Sequence, residues 1–175
     1  MQKTVLTFGL IAGLIVVILW HATRPLWMDA DGKMNLDSSE IIGYTNMIVA
    51  LSMIFFGIKQ FRDRYSGGVI SFKRAFTVGF LIALVASAIY VIGWMIYYNV
   101  SESAQNFLPQ YLEHMKEQWA AKGLSEEEIN QRTAGFQKNV ELYENPIIMA
   151  GMTLMEILPV GLLITLISAL ILKKK

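Results

Sequence analysis

At 175 residues the chain has room for one domain, and its 17% charged and 54% hydrophobic residues sit far from the roughly 25% charged content of soluble domains. It contains no cysteine, which excludes disulfides, thiolate metal sites and thiol catalysis. The formal net charge of +1 conceals blocks that alternate in sign around four long, almost uncharged runs.

No Asp, Glu, Lys or Arg occurs between Lys3 and Arg24, between Glu40 and Lys59, or between Arg74 and Glu102. The last run, between Glu144 and Lys173, is broken by Glu156 alone. About 20 helical residues cross the ~30 Å hydrocarbon core of a bilayer, so each run is long enough to span it. The spacing predicts an all-α, four-span transmembrane bundle forming a single membrane domain over residues 1–175, with spans near residues 4–23, 41–58, 76–99 and 147–172.

The first run is too long for the apolar core of a signal peptide, and Trp20-His21-Ala22-Thr23-Arg24-Pro25 lacks an A-x-A-like cleavage site. A retained anchor is expected. Lys3 precedes it. The loop that follows sets Arg24 and Lys33 against Asp29, Asp31, Asp37 and Glu40. The next loop sets Lys59, Arg62, Arg64, Lys73 and Arg74 against Asp63, and the chain ends in Lys173, Lys174 and Lys175. Basic residues close to spans stay on the cytoplasmic side. Both termini and the second loop are therefore expected in the cytoplasm, with loops one and three outside. Trp20, Trp27, Tyr44, Trp94, Tyr97 and Tyr98 mark the outer interface, where amphipathic rings prefer to sit.

Small residues let helices in lipid approach closely. Gly9 and Gly13 form a GxxxG, Gly79, Ala83 and Ser87 recur every four residues in span three, and Gly161, Thr165 and Ala169 do so in span four. These stripes are expected to pack the bundle within one chain, with a homo-oligomer seam as the alternative. Gly67-Gly68 allows a sharp turn in the second loop, and Ser71 is placed to cap span three.

The third loop, 102–145, has a helical period of its own. Leu108, Leu112, Met115 and Trp119 form one stripe, and Ile129, Thr133, Phe136, Val140 and Tyr143 a second. Gly123 ends the first segment, and Ser125 with Glu128 forms a capping box that starts the next. An extracytoplasmic αα-hairpin is expected between spans three and four, its two apolar stripes packed together, against the membrane surface, or against a membrane or periplasmic protein partner.

Glu156 is the charge that the alternating pattern leaves unexplained. It lies about ten residues into span four, roughly 15 Å deep by helical rise. A charge there costs at least ~2.5–3.5 kcal/mol, so the carboxyl is expected to be protonated, paired or wet. No span carries a basic residue at that depth, which points to a largely neutral acid at pH 7. Ser52, Ser87 and Tyr90 lie at similar depth, with Asn46 shallower, as candidate hydrogen-bond donors. Pro159 is expected to kink the helix and free the Met155 carbonyl, with Gly161 permitting close approach at the bend. These residues form a candidate intramembrane polar site, readable as a structural clasp between helices or as a proton or cation site.

His21 and His114 fall on the outer side without metal-ligand spacing, and Glu113, His114 and Glu117 read as a solvated helix face. No Walker loop, GxSxG, HExxH or dinucleotide glycine pattern is present. No cofactor, metal or nucleic acid is expected, and no catalytic residue is assigned.

Two stretches carry a family resemblance: Phe56-Gly57-Ile58-Lys59-Gln60-Phe61-Arg62 on through Ser71-Phe72-Lys73-Arg74-Ala75-Phe76, and Glu156-Ile157-Leu158-Pro159-Val160-Gly161-Leu162 to the C-terminal lysines. With the chain length and the acidic third loop, they resemble a bacterial family of small four-helix membrane proteins common in Bacteroidetes-type bacteria, a domain of unknown function. The resemblance implies a bacterial inner-membrane location and supplies no activity. A non-enzymatic structural or accessory component is the first expectation. The alternative is a proton- or cation-coupled transporter acting as a homo-oligomer through Glu156, similar in economy to small multidrug resistance transporters but with the acid in the last span. A membrane enzyme ranks third, and convergent polar groups around a cavity at Glu156 would favour it.

Overall fold

Each uncharged run is helical in the computed structural model, which describes residues 1–28 and 35–174, with residue 37 by its backbone only. Asp29, Asp31, Lys33 and Lys175, counted above for topology, lie outside the described residues. Helix α1 covers Gln2–Ala22 and leads into a short 3-10 turn at Arg24–Leu26. Helices α2 (Leu36–Leu51) and α3 (Met53–Tyr65) together form the second apolar span, Ser38–Tyr65. Helix α4 is Phe72–Val100 and α8 is Pro146–Leu172, with α5 (Glu102–Gln105), α6 (Phe107–Ala121) and α7 (Glu126–Tyr143) between them. Four helices are long and apolar enough to cross a bilayer, and the protein is an all-helical multi-pass membrane protein.

Local signals set the helix ends. Asn35 accepts from the Ser38 amide to cap α2, and Ser71 accepts from the Arg74 amide to cap α4. Gly67 and Gly68 adopt φ of 63° and 81°, a left-handed turn that residues with a Cβ avoid. Ser125 and Glu128 complete a reciprocal capping box at α7.

Helix α4 is the centre of the bundle, packed along α1 on one side and α8 on the other. The small-residue stripes form these seams inside one chain. A Cβ at Gly9 would lie 2.5 Å from the Val85 Cβ, and one at Gly13 would lie 2.6 Å from the Ile89 Cβ. On the other seam Gly79 meets Thr165 and Gly161 meets Ala83, which sets α8 antiparallel to α4. The opposite faces of the spans remain apolar: Leu6, Leu10, Leu14 and Ile18 on α1, and Leu163, Leu166 and Leu170 on α8, are exposed. Such extensive apolar surface suits lipid rather than water.

The bundle ends differ chemically. Ile70 and Lys174 exchange backbone hydrogen bonds of 3.1 and 3.0 Å, bringing Lys173 and Lys174 beside the basic α3–α4 loop. At the other end α6 and α7 pack together through Tyr111 stacked on Phe136 and Arg132 over the Trp119 ring. Their less exposed faces are the two apolar stripes.

The second span departs from its predicted extent and shape. Its helix continues past residue 58 to Tyr65, carrying Lys59, Arg62 and Arg64 on about two further helical turns. It is interrupted at Ser52, whose hydroxyl bonds the Val49 carbonyl at 2.6 Å while the Phe55 amide turns to the Ser52 carbonyl. A side chain that captures a ladder carbonyl is a recognised cause of helix bending. Pro159, where a kink is expected, lies inside α8, which runs as one helix from Pro146 to Leu172. Proline removes a single ladder bond there, and both Pro159 and Met155 lie on exposed positions.

Candidate functional site

Thr153 and Glu156 lie three residues apart on α8, and Tyr90 and Trp94 four apart on α4, so each pair shares a helix face. The antiparallel α4–α8 seam brings the two pairs together. The Tyr90 hydroxyl donates a hydrogen bond to the Glu156 carboxyl. Tyr90 is buried, 6% exposed, so this bond ties the acid to the core of the bundle.

A second polar chain runs beside the first. Trp94 Nε1 donates to the Tyr143 hydroxyl at the end of α7. Tyr143 also hydrogen-bonds Thr153, whose own hydroxyl donates 2.9 Å to the Met149 carbonyl. Burial holds the Tyr143 phenol above its ordinary pKa, partly offset by its bonds to Thr153 and Trp94. Through Tyr143 the α6–α7 unit is fastened to both α4 and α8.

Between these groups lies a pocket of about 240 Å³ lined by Trp20, Trp94, Phe107, Leu108, Tyr143, Met152, Thr153 and Glu156. Glu156 is an exposed residue, although protein atoms crowd its carboxyl. Both hold because it forms part of the pocket wall. The aromatic lining is continuous: Trp94 meets Trp20 at 5.8 Å and Phe107 at 6.2 Å, both edge to face. Trp20 in turn packs against Trp27 at 5.0 Å.

The family model described as a protein of unknown function, DUF4199, matches residues 7–174, taking in all four spans and the whole pocket. The chain belongs to the DUF4199 family. No curated protein and no solved structure matches it. Membership confirms the small four-helix membrane family and assigns no activity to the pocket residues of this DUF4199 chain.

Of the residues singled out in the sequence, Glu156 and Tyr90 come together and the others do not join them. Asn46 is buried but donates 2.9 Å to the Thr23 hydroxyl, fastening α2 to the end of α1. Ser52 is committed to the Val49 carbonyl at the α2–α3 interruption. Ser87 is fully buried, and its hydroxyl has no partner among the described residues. Pro159 lies beyond the pocket lining, and Gly9, Gly13, Gly79, Ala83 and Gly161 serve the helix seams. Thr153, Tyr143 and the pocket roles of Trp20 and Trp94 were missed. The i,i+3 spacing of Thr153 with Glu156 and the i,i+4 spacing of Tyr90 with Trp94 were the available signals.

The histidines serve local contacts. His21 packs edge-on against Tyr97 at 5.2 Å, His114 shares a 3.0 Å contact with Gln118, and Lys116 pairs with Glu113 at 2.8 Å. Among the described residues no three His, Asp or Glu side chains gather as a metal site.

Proposed function

We propose that this is a non-enzymatic inner-membrane binding protein, an accessory component whose pocket at Glu156 opens to the outer side of the membrane. Both termini and the basic α3–α4 loop lie in the cytoplasm under this reading, and α5–α7 stand outside as the roof of the pocket. The observation that carries it is the joining of Glu156, Thr153 and Tyr143 around one aromatic pocket, with Tyr90 behind the acid in the bundle core. A carboxyl at that depth is costly and defaults to a functional role. Several polar groups now converge there, as an active site also requires. However, Tyr143 and Thr153 are engaged with each other, and Glu156 is paired with a phenol rather than with a nucleophile it could activate. Holding a ligand is the chemistry this arrangement favours. The acidic outer faces of residues 102–145 are where an accessory protein would meet a membrane or periplasmic partner.

Thiol labelling tests the reading on a chain with no cysteine of its own. A Met152→Cys or Leu108→Cys protein is expected to react with a membrane-impermeant maleimide added outside, while Gly161→Cys stays unreactive. Silence at both pocket positions, or reaction only from the cytoplasmic side, overturns it.

A second reading is favoured by Glu156 being an acid exposed on a membrane-embedded pocket: a proton- or cation-coupled transporter acting as a homo-oligomer. Four helices leave little room for alternating access within one copy. Proteoliposome flux that falls at least tenfold in Glu156→Gln would establish it, and equal flux in both proteins would remove it.

A further inference from the structure

The pocket combines features that select a chemical class. Its wall presents aromatic rings from Trp20, Trp94, Phe107 and Tyr143, one carboxyl from Glu156 and, among the described residues, no lysine, arginine or histidine. Aromatic faces attract cations, most strongly where water is excluded, and clusters of such rings recognise substituted ammonium groups. A bound cation favours the ionised form of a neighbouring carboxyl, which then adds a full opposite charge in a low-dielectric setting. A metal ion would need several oxygen or nitrogen ligands, which an aromatic wall does not supply. The volume is also informative. An engineered apolar cavity of about 150 Å³ accepts benzene, so ≈ 240 Å³ has room for a ring-sized body and a charged head together.

We propose that the Glu156 pocket binds an organic ammonium ion carried on an apolar body, with the cation between the Glu156 carboxyl and the Trp20, Trp94 and Tyr143 rings. This rests on the reading of the pocket as a binding site and names the ligand class. Tyr90 acts as a positioning residue, since its hydroxyl bond fixes the carboxyl against α4. The shared chemistry of a soluble alkylammonium and an ammonium-bearing lipid headgroup fits the same place.

Benzyltrimethylammonium is the probe, titrated against the full chain in nanodiscs of phosphatidylglycerol while tryptophan emission is recorded, because Trp20 and Trp94 line the site. A saturable change is expected. Its apparent Kd should rise at least tenfold in Glu156→Gln and in Trp94→Leu, and the neutral carbon isostere, with a tert-butyl in place of the trimethylammonium group, should bind at least tenfold more weakly. Circular dichroism and size-exclusion profiles matching the parent qualify each variant as folded. Repeating the titration in discs that contain phosphatidylethanolamine separates the sources. A curve shifted to higher concentration assigns the site to a lipid ammonium, and superposable curves assign it to a soluble one.

Equal binding of the neutral isostere, an unchanged Kd in Glu156→Gln, or no saturable signal in either disc overturns the ammonium assignment. If Met152→Cys still labels from outside, the pocket stands and only the ligand class falls. If that labelling fails as well, both fall together.

Discussion

Tyr90→Phe removes the hydroxyl that holds Glu156 against α4 while keeping the ring that fills the core. Hydrogen bonds between membrane helices contribute about 0.6–1.7 kcal/mol. The variant is therefore expected to lose about 1 kcal/mol in reversible unfolding from mixed micelles, and Tyr90→Phe combined with Glu156→Gln should lose less than the two single losses added. Full additivity would show that the two side chains do not interact. At α7, Glu128 accepts from the Ser125 backbone and hydroxyl, which hold its carboxylate below the ordinary range. A depressed pKa contributes stability above the unfolded value and loses it as pH falls through the folded one. Amide protection in the first turn of α7, measured against the intrinsic exchange rate at each pH, should accordingly fall between neutral and acidic pH, and Ser125→Ala, costing about 1 kcal/mol of helix stability, should remove most of that pH dependence.

Glycines divide sharply among the helices. Gly9 lies against Val85 with no space for a side chain, whereas nothing lies within 4 Å of a Cβ at Gly135 on α7. Gly9→Val is thus expected to lower the thermal midpoint in detergent, since overpacking typically costs 1–3 kcal/mol. Gly135→Ala should do the reverse, adding about 1 kcal/mol through helix propensity. A neutral Gly9→Val would deny the close α1–α4 seam. The seams were legible because small residues at four-residue spacing leave a pattern on one helix. The interruption at Ser52 was not, since it depends on one hydroxyl choosing the Val49 carbonyl rather than a partner across the bundle.

For the molecule as a whole, alternating charge blocks made four helices readable, because hydrocarbon tolerates few charges and sets a minimum length. Glu156 stood out for the same reason. Its surroundings did not, because the pocket is assembled from α1, α4, α6, α7 and α8, and those alignments depend on how α6 and α7 fold back over the bundle. Tyr143 shows the difference well. Its place in an apolar stripe was visible, while its bonds to Trp94 and Thr153 exist only once α7 meets the spans.

The central claim is that Glu156 opens to an outer-side pocket that closes below it. A cysteine scan over residues 149–168, labelled with an impermeant thiol reagent in right-side-out and inverted vesicles, tests it most directly. Reaction at positions 152 and 156 from the outside alone, ending before the buried positions 157, 161 and 165, is the predicted pattern. Reaction continuing along one face to position 168 would reveal a through-path, and none at 152 or 156 would leave Glu156 sealed from water. Either result would contradict the pocket.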